Sequence, residues 1–396
     1  MMPRVLGVIA EYNPFHNGHA YHLEQARRAA GADYVVVVMS SCFTQRGEPA
    51  LLSCGDRTTM ALSCGADAVF ALPAVWSARD AEHFALGGVA LLDRLGCDAI
   101  SFGTESADPE QLMAAARLLE QPDEAFRESL QRQLDAGLPW PAAVSRAAQA
   151  VQPGMDALLG QPNSTLAICY LRAMLRLDAK LDVVPVARTS GYHETTLTTG
   201  APSATALRGA ILRGDWAQAE KAMPAAAFRI LREAASDARL HRPGALDAAL
   251  LYRLRTMTQD EYADLPDVSE GIEFRLRSAA LNARSREDML QSAKTRRYPY
   301  ARLSRLATHA LLGFSQAQLS TLPLPDSALL TGLRKSASPL LTCLSQRSRL
   351  KLLSRSADLT LSEPWIAAEL RAQDIWALGA GLPAGHLLSQ RMTTVP

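Results

Sequence analysis

Val5-Leu6-Gly7-Val8-Ile9-Ala10-Glu11-Tyr12-Asn13-Pro14-Phe15-His16-Asn17-Gly18-His19 is the stretch whose reading decides the fold. Val5 to Ala10 is an apolar run of strand length, and Ala20 to Ala30 has the spacing of an amphipathic helix. Between them lies a turn with two histidines flanking a glycine. The first turn of the following helix offers free N–H groups and a partial positive charge, which favours phosphate. Gly18 lets backbone approach a ligand closely. His16 and His19 can donate hydrogen bonds to phosphate oxygens. The plainer reading is a pair of surface histidines. Their place directly after the first strand of an α/β pattern favours the phosphate reading.

Working outward, the pattern alternates. Tyr34 to Met39 is a continuous, β-branched run, as expected of a strand covered on both faces. Asp56 to Cys64 reads as a helix, Ala68 to Leu72 as a strand stopped by Pro73, Ala81 to Leu95 as a helix, and Asp98 to Phe102 as a strand ended by Gly103. This rhythm predicts a parallel sheet with right-handed crossovers. Ligands in such sheets sit beyond the carboxyl ends of the strands. The loops at His16–His19, Ser40–Arg46 and Gly103–Ser106 would then share one crevice.

Residues 108–178 read as helical, with breaks at Gln121-Pro122-Asp123 and Gly137-Leu138-Pro139. Gln161-Pro162-Asn163-Ser164-Thr165 caps a helix, and Leu181 to Val186 is a fifth strand candidate. Arg188 to Gly200 reads as a polar loop, and Pro202-Ser203-Ala204-Thr205 starts a short helix containing Arg208. Beyond about residue 216 the pattern is almost entirely helical. We expect an α/β domain over 1–225 followed by a helical, basic domain over 226–396.

The composition permits a large core, with 48% hydrophobic and 20% charged residues in 396. No apolar run approaches the roughly 20 residues that span a bilayer, and Met-Met-Pro-Arg runs into a strand without a signal-peptide pattern. A cytoplasmic protein is the expectation. Cys42, Cys54, Cys64, Cys97, Cys169 and Cys343 form no C-x-x-C pair and read as reduced thiols. Charge is uneven. Residues 1–225 carry 18 Lys/Arg and 24 Asp/Glu, the remainder 23 and 16. Arg275 to Arg305 holds nine Lys/Arg against Glu287 and Asp288, with Lys294-Thr295-Arg296-Arg297-Tyr298 at its densest. Arg334 to Arg355 adds six cations and no acid. Basic helices with aromatics suit a polyanion such as nucleic acid; a solvated face is the alternative.

Other candidates lie at the crevice. Ser203 and Thr205 can cap a helix or hold phosphate oxygens, with Arg208 one turn inside. Gly103, Asn163 and Arg188 each border a predicted element, and Arg46 sits in the loop after the second strand. His22, His83, His193, His241, His309 and His386 lack metal-ligand spacing and read as ordinary residues. Neither a Ser-His-Asp set nor a Gly-x-x-x-x-Gly-Lys loop is present.

Taken together, Glu11 to His19, Gln45-Arg46-Gly47-Glu48-Pro49-Ala50, Ala81-Glu82-His83-Phe84-Ala85, Ser101-Phe102-Gly103-Thr104-Glu105, Gln161-Pro162-Asn163, Ser203 to Arg208, Asp267-Val268-Ser269-Glu270-Gly271 and Lys294 to Tyr298 resemble the motifs of the bacterial tRNA(Met) cytidine acetate ligases, within the HIGH-type nucleotidyltransferase superfamily. The resemblance implies a Rossmann-like catalytic domain that forms acetyl-adenylate from acetate and ATP with Mg2+. The acetyl group would then pass to N4 of the wobble cytidine of elongator tRNA(Met). It implies ATP contacts from Gly7, Val8, Ile9, Ala10, Glu11, Tyr12, Asn13, Pro14, Phe15, His16, Asn17, Gly18, His19 and Ala20, with Gly103, Asn163 and Arg188. It also implies catalytic roles for His16, His19 and Arg208, diphosphate contacts from Ser203 and Thr205, and tRNA contacts from Lys294, Arg296, Arg297 and Tyr298. No protein-held metal is expected. Four residues depart from the family pattern: Ser41-Cys42 where Gly-Asn is expected, Thr104 for Ser, and Ser164 for a second Asn. The rival readings are a small-molecule adenylyltransferase and a nucleotide-sensing RNA-binding protein without turnover.

Overall fold

The structure is a computed structural model that describes residues 2–188, 203–355, 358–359, 363–385 and 392–396. All but the first residue of the expected polar loop 188–200, together with Pro202, His193 and His386, falls outside the described residues.

The first half follows the expected alternation closely. It runs β1 (Val5–Ala10), α1 (Asn17–Ala30), β2 (Tyr34–Ser40), α2 (Cys54–Ser63), β3 (Ala68–Leu72), the short α3 (Ala74–Ser77), α4 (Ala81–Leu95) and β4 (Ala99–Thr104). Helices α5 (Pro109–Glu120), α6 (Glu124–Asp135), α7 (Trp140–Val151), α8 (Met155–Leu159) and α9 (Pro162–Leu177) lead to β5 (Asp182–Ala187). The breaks between α5 and α6 and between α6 and α7 fall at the two predicted proline and glycine sites.

Strands β5-β4-β1-β2-β3 pair in that order, all parallel. Both faces are buried, and the two-residue period of a strand divides its side chains between them. Val5, Ile9, Val36, Val38 and Phe70 enter one core with α4, α9 and the last helix of the chain. Leu6, Val8, Val35, Val37 and Val69 enter the other with α1 and α2. A run such as Val35-Val36-Val37-Val38, fully buried throughout, is stable only under this double cover.

The second half begins with α10 (Ala204–Leu212), α11 (Trp216–Ala222) and α12 (Ala225–Ser236). A helical bundle follows, α13 (Asp247–Thr256), α14 (Gln259–Ala263), α15 (Ile272–Asn282), α16 (Arg286–Ala293) and α17 (Tyr300–Leu312), with a core of its own from Leu250 to Ala310. The chain then passes α18 (Gln316–Ser320), β6 (Ser327–Arg334), α19 (Ser338–Arg347), β7 (Lys351–Leu353), α20 (Pro364–Ala380) and β8 (Thr393–Val395).

Here the expectation of an almost wholly helical second half is corrected. β6 joins the sheet antiparallel to β3, and β7 and β8 share its outer edge. The sheet therefore draws on both sides of residue 225. Ser327-Ala328-Leu329-Leu330 is a short buried apolar run whose strand character depends on β3 lying beside it.

The second basic tract is also reassigned. Arg347 pairs with Asp98 at 2.9 Å and donates to the Pro3 carbonyl, Arg349 pairs with Asp93, and Arg334 donates to the Leu62 carbonyl. Arg347 and Arg349 fasten the C-terminal segment beside the amino ends of β1 and β4, and Arg334 ties β6 to the end of α2. That is the opposite end of the sheet from the predicted crevice.

Candidate active site

A cavity of about 940 Å³ lies beyond the carboxyl ends of the parallel strands. Its wall includes Val8 to Asn13, His16, Gly18 and His19 from the opening stretch, Thr44 to Arg46 and Glu48, Gly103, Asn163, Arg188, and Ser203 to Ala206 with Arg208. The predicted loops do converge. Within the opening stretch, Gly7, Pro14, Phe15, Asn17 and Ala20 are not part of this wall. Gly7 lies inside β1, where a Cβ would come within 2.6 Å of Leu92. Phe15 is fully buried under His19, at 5.4 Å between ring centroids. Asn17 donates to the Lys221 carbonyl at 2.9 Å.

The two histidines form a helix cap. His16 is the N-cap of α1, and its Nδ1 accepts the Gly18 N–H at 3.1 Å. His19, three residues on, accepts the His16 N–H on its own Nδ1 at 3.2 Å. This reciprocal arrangement is the capping box, built here from imidazoles rather than Ser and Glu. The rings stack at 3.7 Å between centroids. Because each Nδ1 is an acceptor, each ring's proton sits on Nε2. Burial, with Arg188 adding repulsion, pulls His16 down to about 3. Burial, His16 and Arg188 hold His19 well below its ordinary value. The pair is therefore neutral and presents N–H donors, in the manner that suits phosphate oxygens at a helix start.

Arg188 follows β5 and contributes a guanidinium whose Nε is buried without a hydrogen-bond partner. Burial lowers its pKa, partly offset by the charge of Glu105. The side chain packs on Gly103, where a Cβ would lie 3.4 Å from its Cγ. Arg208, on α10, donates to the Asn13 carbonyl at 2.9 Å and to Glu48 at 3.2 Å, with Thr205 Oγ1 at 3.4 Å. Ser203 caps α10 through the Ala206 N–H at 3.2 Å.

Asn163 is held rather than free. Its amide donates to Glu105 Oε1 at 2.6 Å, and the Ser164 N–H and hydroxyl donate to Glu105 Oε2 at 2.8 and 2.9 Å. Glu105, from the loop after β4, thus caps α9, a role the sequence reading gave to residues 161–165. Burial pushes its carboxyl up, but the hydrogen bonds from Asn163 and Ser164 prevail and hold it below the usual carboxylate range. The two departures Thr104 and Ser164 meet each other, oxygen to oxygen at 3.0 Å. Ser41 and Cys42 are buried outside the cavity wall. The Ser41 carbonyl accepts from buried Arg57, which also donates to the carbonyls of Ser40 and Glu11 at 2.8 Å each.

Sequence reasoning missed several cavity residues. His22 was set aside as ordinary, yet it lines the wall, sits 3.0 Å from Ser101 Oγ, and is drawn down to about 4 by burial and Arg188. Its place one turn after His19 was the available signal. Glu11, already expected among the ATP contacts, accepts the Gln45 N–H at 2.7 Å. Burial raises its carboxyl pKa against the lowering effects of the Gln45 hydrogen bond, Arg46 and Arg208. Phe84, Phe102 and Tyr170 form an apolar side of the cavity.

The basic stretch 275–305 divides in two. Arg275, Arg286 and Arg302 donate to backbone carbonyls at 293, 47 and 267, and Arg305 lies 3.8 Å from Asp267. Lys294, Arg296 and Arg297 are exposed, and Arg297 lies over the Tyr298 ring at 5.7 Å. Asp80, His83 and Asp267 bring one ligand atom each within 4.8 Å of one another. Arg79 and Arg305 act on both carboxylates, so the charge there is already balanced.

Comparison with known proteins gives the chain a family. The family model HIGH Nucleotidyl Transferase matches residues 3–386. The tRNA(Met) cytidine acetate ligase of Acetivibrio thermocellus is 34% identical over 98% of both chains, and that of Bacillus subtilis is 32% identical over 95% of this chain and 92% of its own. The chain belongs to the tRNA(Met) cytidine acetate ligase family. Thermotoga maritima TmcAL bound with alpha-thio ATP superposes with a TM-score of 0.89 at 26% identity over 99% of each chain, and its apo form with 0.92. No helix among the described residues is long and apolar enough to cross a membrane.

Proposed function

We propose that this protein joins acetate to ATP, releasing diphosphate, and passes the acetyl group of the acetyl-adenylate to N4 of the wobble cytidine of elongator tRNA(Met), releasing AMP. The observation that carries this reading is the stacked, neutral His16–His19 pair, with both Nε2–H groups available in the cavity that holds Arg188 and Arg208. The curated relatives are named for the acetate ligase reaction, and the Thermotoga maritima neighbour holds an ATP analogue.

In the first step an acetate oxygen attacks the α-phosphorus and the bond to the β-phosphate breaks. No side-chain nucleophile is needed, so positioning and charge stabilisation carry the rate. Val8 to Ala10, Tyr12 and Asn13, with Gly103, Asn163 and Arg188, hold the nucleotide. His16 and His19 donate to the phosphates as charge moves outward, and Arg208, Ser203 and Thr205 receive the diphosphate. Arg208 then exchanges Glu48 for phosphate. Mg2+ takes hard oxygen ligands and commonly rides on the substrate's phosphates. The cavity fits an ion arriving that way, because Glu48 supplies a carboxylate beside Arg208 and the imidazole Nδ1 atoms are already used. When bound it neutralises charge on the diphosphate. Lys294, Arg296, Arg297 and Tyr298 supply phosphate and stacking contacts for the tRNA.

The test is ATP–diphosphate exchange with acetate, followed by mass spectrometry of tRNA nucleosides. Acetate-dependent exchange and N4-acetylcytidine are the expected results. Exchange driven by a mononucleotide instead of acetate would overturn the reading.

A further inference from the structure

The transfer step has a proton to dispose of, and the activation step does not. Acetate is already an anion at neutral pH, so adenylate formation moves no proton. When cytidine N4 attacks the acetyl carbon, the N–C bond forms and the bond to the AMP oxygen breaks with its electron pair. One N4 proton must leave. Among the described residues, the cavity's imidazoles and carboxylates can be taken in turn as acceptors.

His16 and His19 use Nδ1 as the α1 cap and carry hydrogen on Nε2, so neither has a basic nitrogen to offer. His22 spends Nε2 on Ser101 Oγ at 3.0 Å, and burial and Arg188 draw the ring down to about 4, which leaves its other nitrogen a weak base. Glu48 pairs with Arg208 at 3.2 Å, a pairing that re-forms once the diphosphate has left and before the transfer step. Glu11 remains: its Oε1 accepts from Gln45 N at 2.7 Å, which leaves Oε2 for the cavity.

Glu11 also stands at the right end. The Thr44–Glu48 loop that borders it is fastened to the helical bundle. The Gly47 carbonyl accepts from Arg286 at 2.7 Å and from Thr308 at 2.6 Å, and Ser304 donates to the Arg46 carbonyl at 2.6 Å. The proposed tRNA contacts Lys294, Arg296, Arg297 and Tyr298 lie on this same bundle, between α16 and α17. The aromatic side formed by Phe84 and Tyr170 adjoins it and suits a methyl group rather than a phosphate.

We infer that Glu11 is the general base of the transfer step, taking the proton from cytidine N4 as the acetyl group leaves AMP. This inference rests on the acetate ligase reading above. Its surroundings suit the task. Arg46 and Glu48 from the loop, Arg208 from α10, Tyr170 from α9 and Arg57 from α2 face it, and burial lifts its pKa toward the working range of a base. The base acts ionised, so transfer rises with pH as Glu11 loses its proton, while exchange does not follow that profile.

Glu11→Gln keeps an oxygen for Gln45 N–H but is no base. Its tRNA acetylation rate, divided by its acetate-dependent exchange rate, is expected to fall by about 100-fold or more. Hydroxylamine, a nucleophile strong enough to need no base, should still trap its acetyl-adenylate. The wild-type rise of single-turnover transfer with pH should flatten in the variant, and Glu11→Asp should recover part of the rate. An unchanged ratio, or equal loss of exchange and transfer, overturns the assignment. If Glu11→Gln does not fold, the wild-type profile decides: transfer that tracks exchange at every pH overturns it. Wild-type enzyme without acetate-dependent exchange would instead overturn the acetate reading, and this proposal with it.

Discussion

His16 combines two roles that ordinary helix caps keep apart. Its Nδ1 holds the Gly18 N–H, and its Nε2–H is left for a ligand. The roles are separable by substitution. Asn is among the best N-cap residues but has no second donor at the Nε2 position. His16→Asn should keep thermal stability within a few tenths of a kcal/mol while exchange falls by at least 100-fold. His16→Ala should lose the exchange and also about 1 kcal/mol of stability. Denaturant melts beside exchange assays separate the two; equal stability of Ala and Asn variants would show that the cap is dispensable. The Thr104–Ser164 contact shows the same economy at another position. Two residues that depart from the family pattern on separate motifs are one hydrogen bond in space.

At the scale of elements, the loop after β2 is the joint between the sheet and the bundle. Gly47 has φ +70, where only glycine is comfortable, and a Cβ would come within 2.6 Å of the Arg305 backbone nitrogen. Gly47→Ala must therefore move the loop or α17. The expected result is a loss of about 1–3 kcal/mol in stability together with a raised KM for ATP, since Glu48 and Gln45 hold Arg208 and Glu11. Arg286→Ala, which removes one donor to the Gly47 carbonyl, should raise that KM with a smaller stability loss. A KM unchanged in both variants would show that the loop keeps its place without the bundle. The cap of α9 works similarly across distance: Glu105 reaches the first N–H groups of a helix that begins 57 residues later in the chain.

For the whole molecule, charge has two uses that composition merges. Arg334, Arg347 and Arg349 bind the C-terminal segment to the sheet, while Lys294, Arg296 and Arg297 remain exposed. Arg296→Glu with Arg297→Glu should weaken tRNA binding and flatten its dependence on salt by about two phosphate contacts. Acetyl-adenylate formation in that variant should persist, measured by exchange. Salt-independent, unaltered tRNA affinity would make this face ordinary surface. Protonation links the whole fold as well. Burial holds His16 near 3 and His22, His241 and His309 near 4, so all are neutral when folded. Unfolded histidine titrates near 6.5. Below that pH the unfolded chain binds more protons, and stability falls as pH drops toward 4. The expected loss is up to about 1.4 kcal/mol per pH unit for each histidine. Melting at pH 7, 6 and 5 measures it; a flat profile would mean these rings are protonated in the folded state.

The parallel half of the sheet was legible because its evidence is local. A strand buried on both faces must read as a continuous apolar run, as Tyr34 to Met39 does, and a helix after a glycine turn must follow in the next residues. The phosphate loop was legible for the same reason, since a cap and its free N–H groups lie within four residues. What the chain could not disclose locally depends on partners far away in sequence. β6 is a strand because β3 stands beside it, Glu105 is a cap because β4 ends over α9, and Arg349 is a tether rather than a nucleic-acid contact because Asp93 meets it. His22 looks unexceptional in the sequence, and Glu11 stands out only as the first residue of the phosphate-loop motif. Only the closing of the cavity, which strips them of water and leaves one Glu11 oxygen open to it, gives them chemistry.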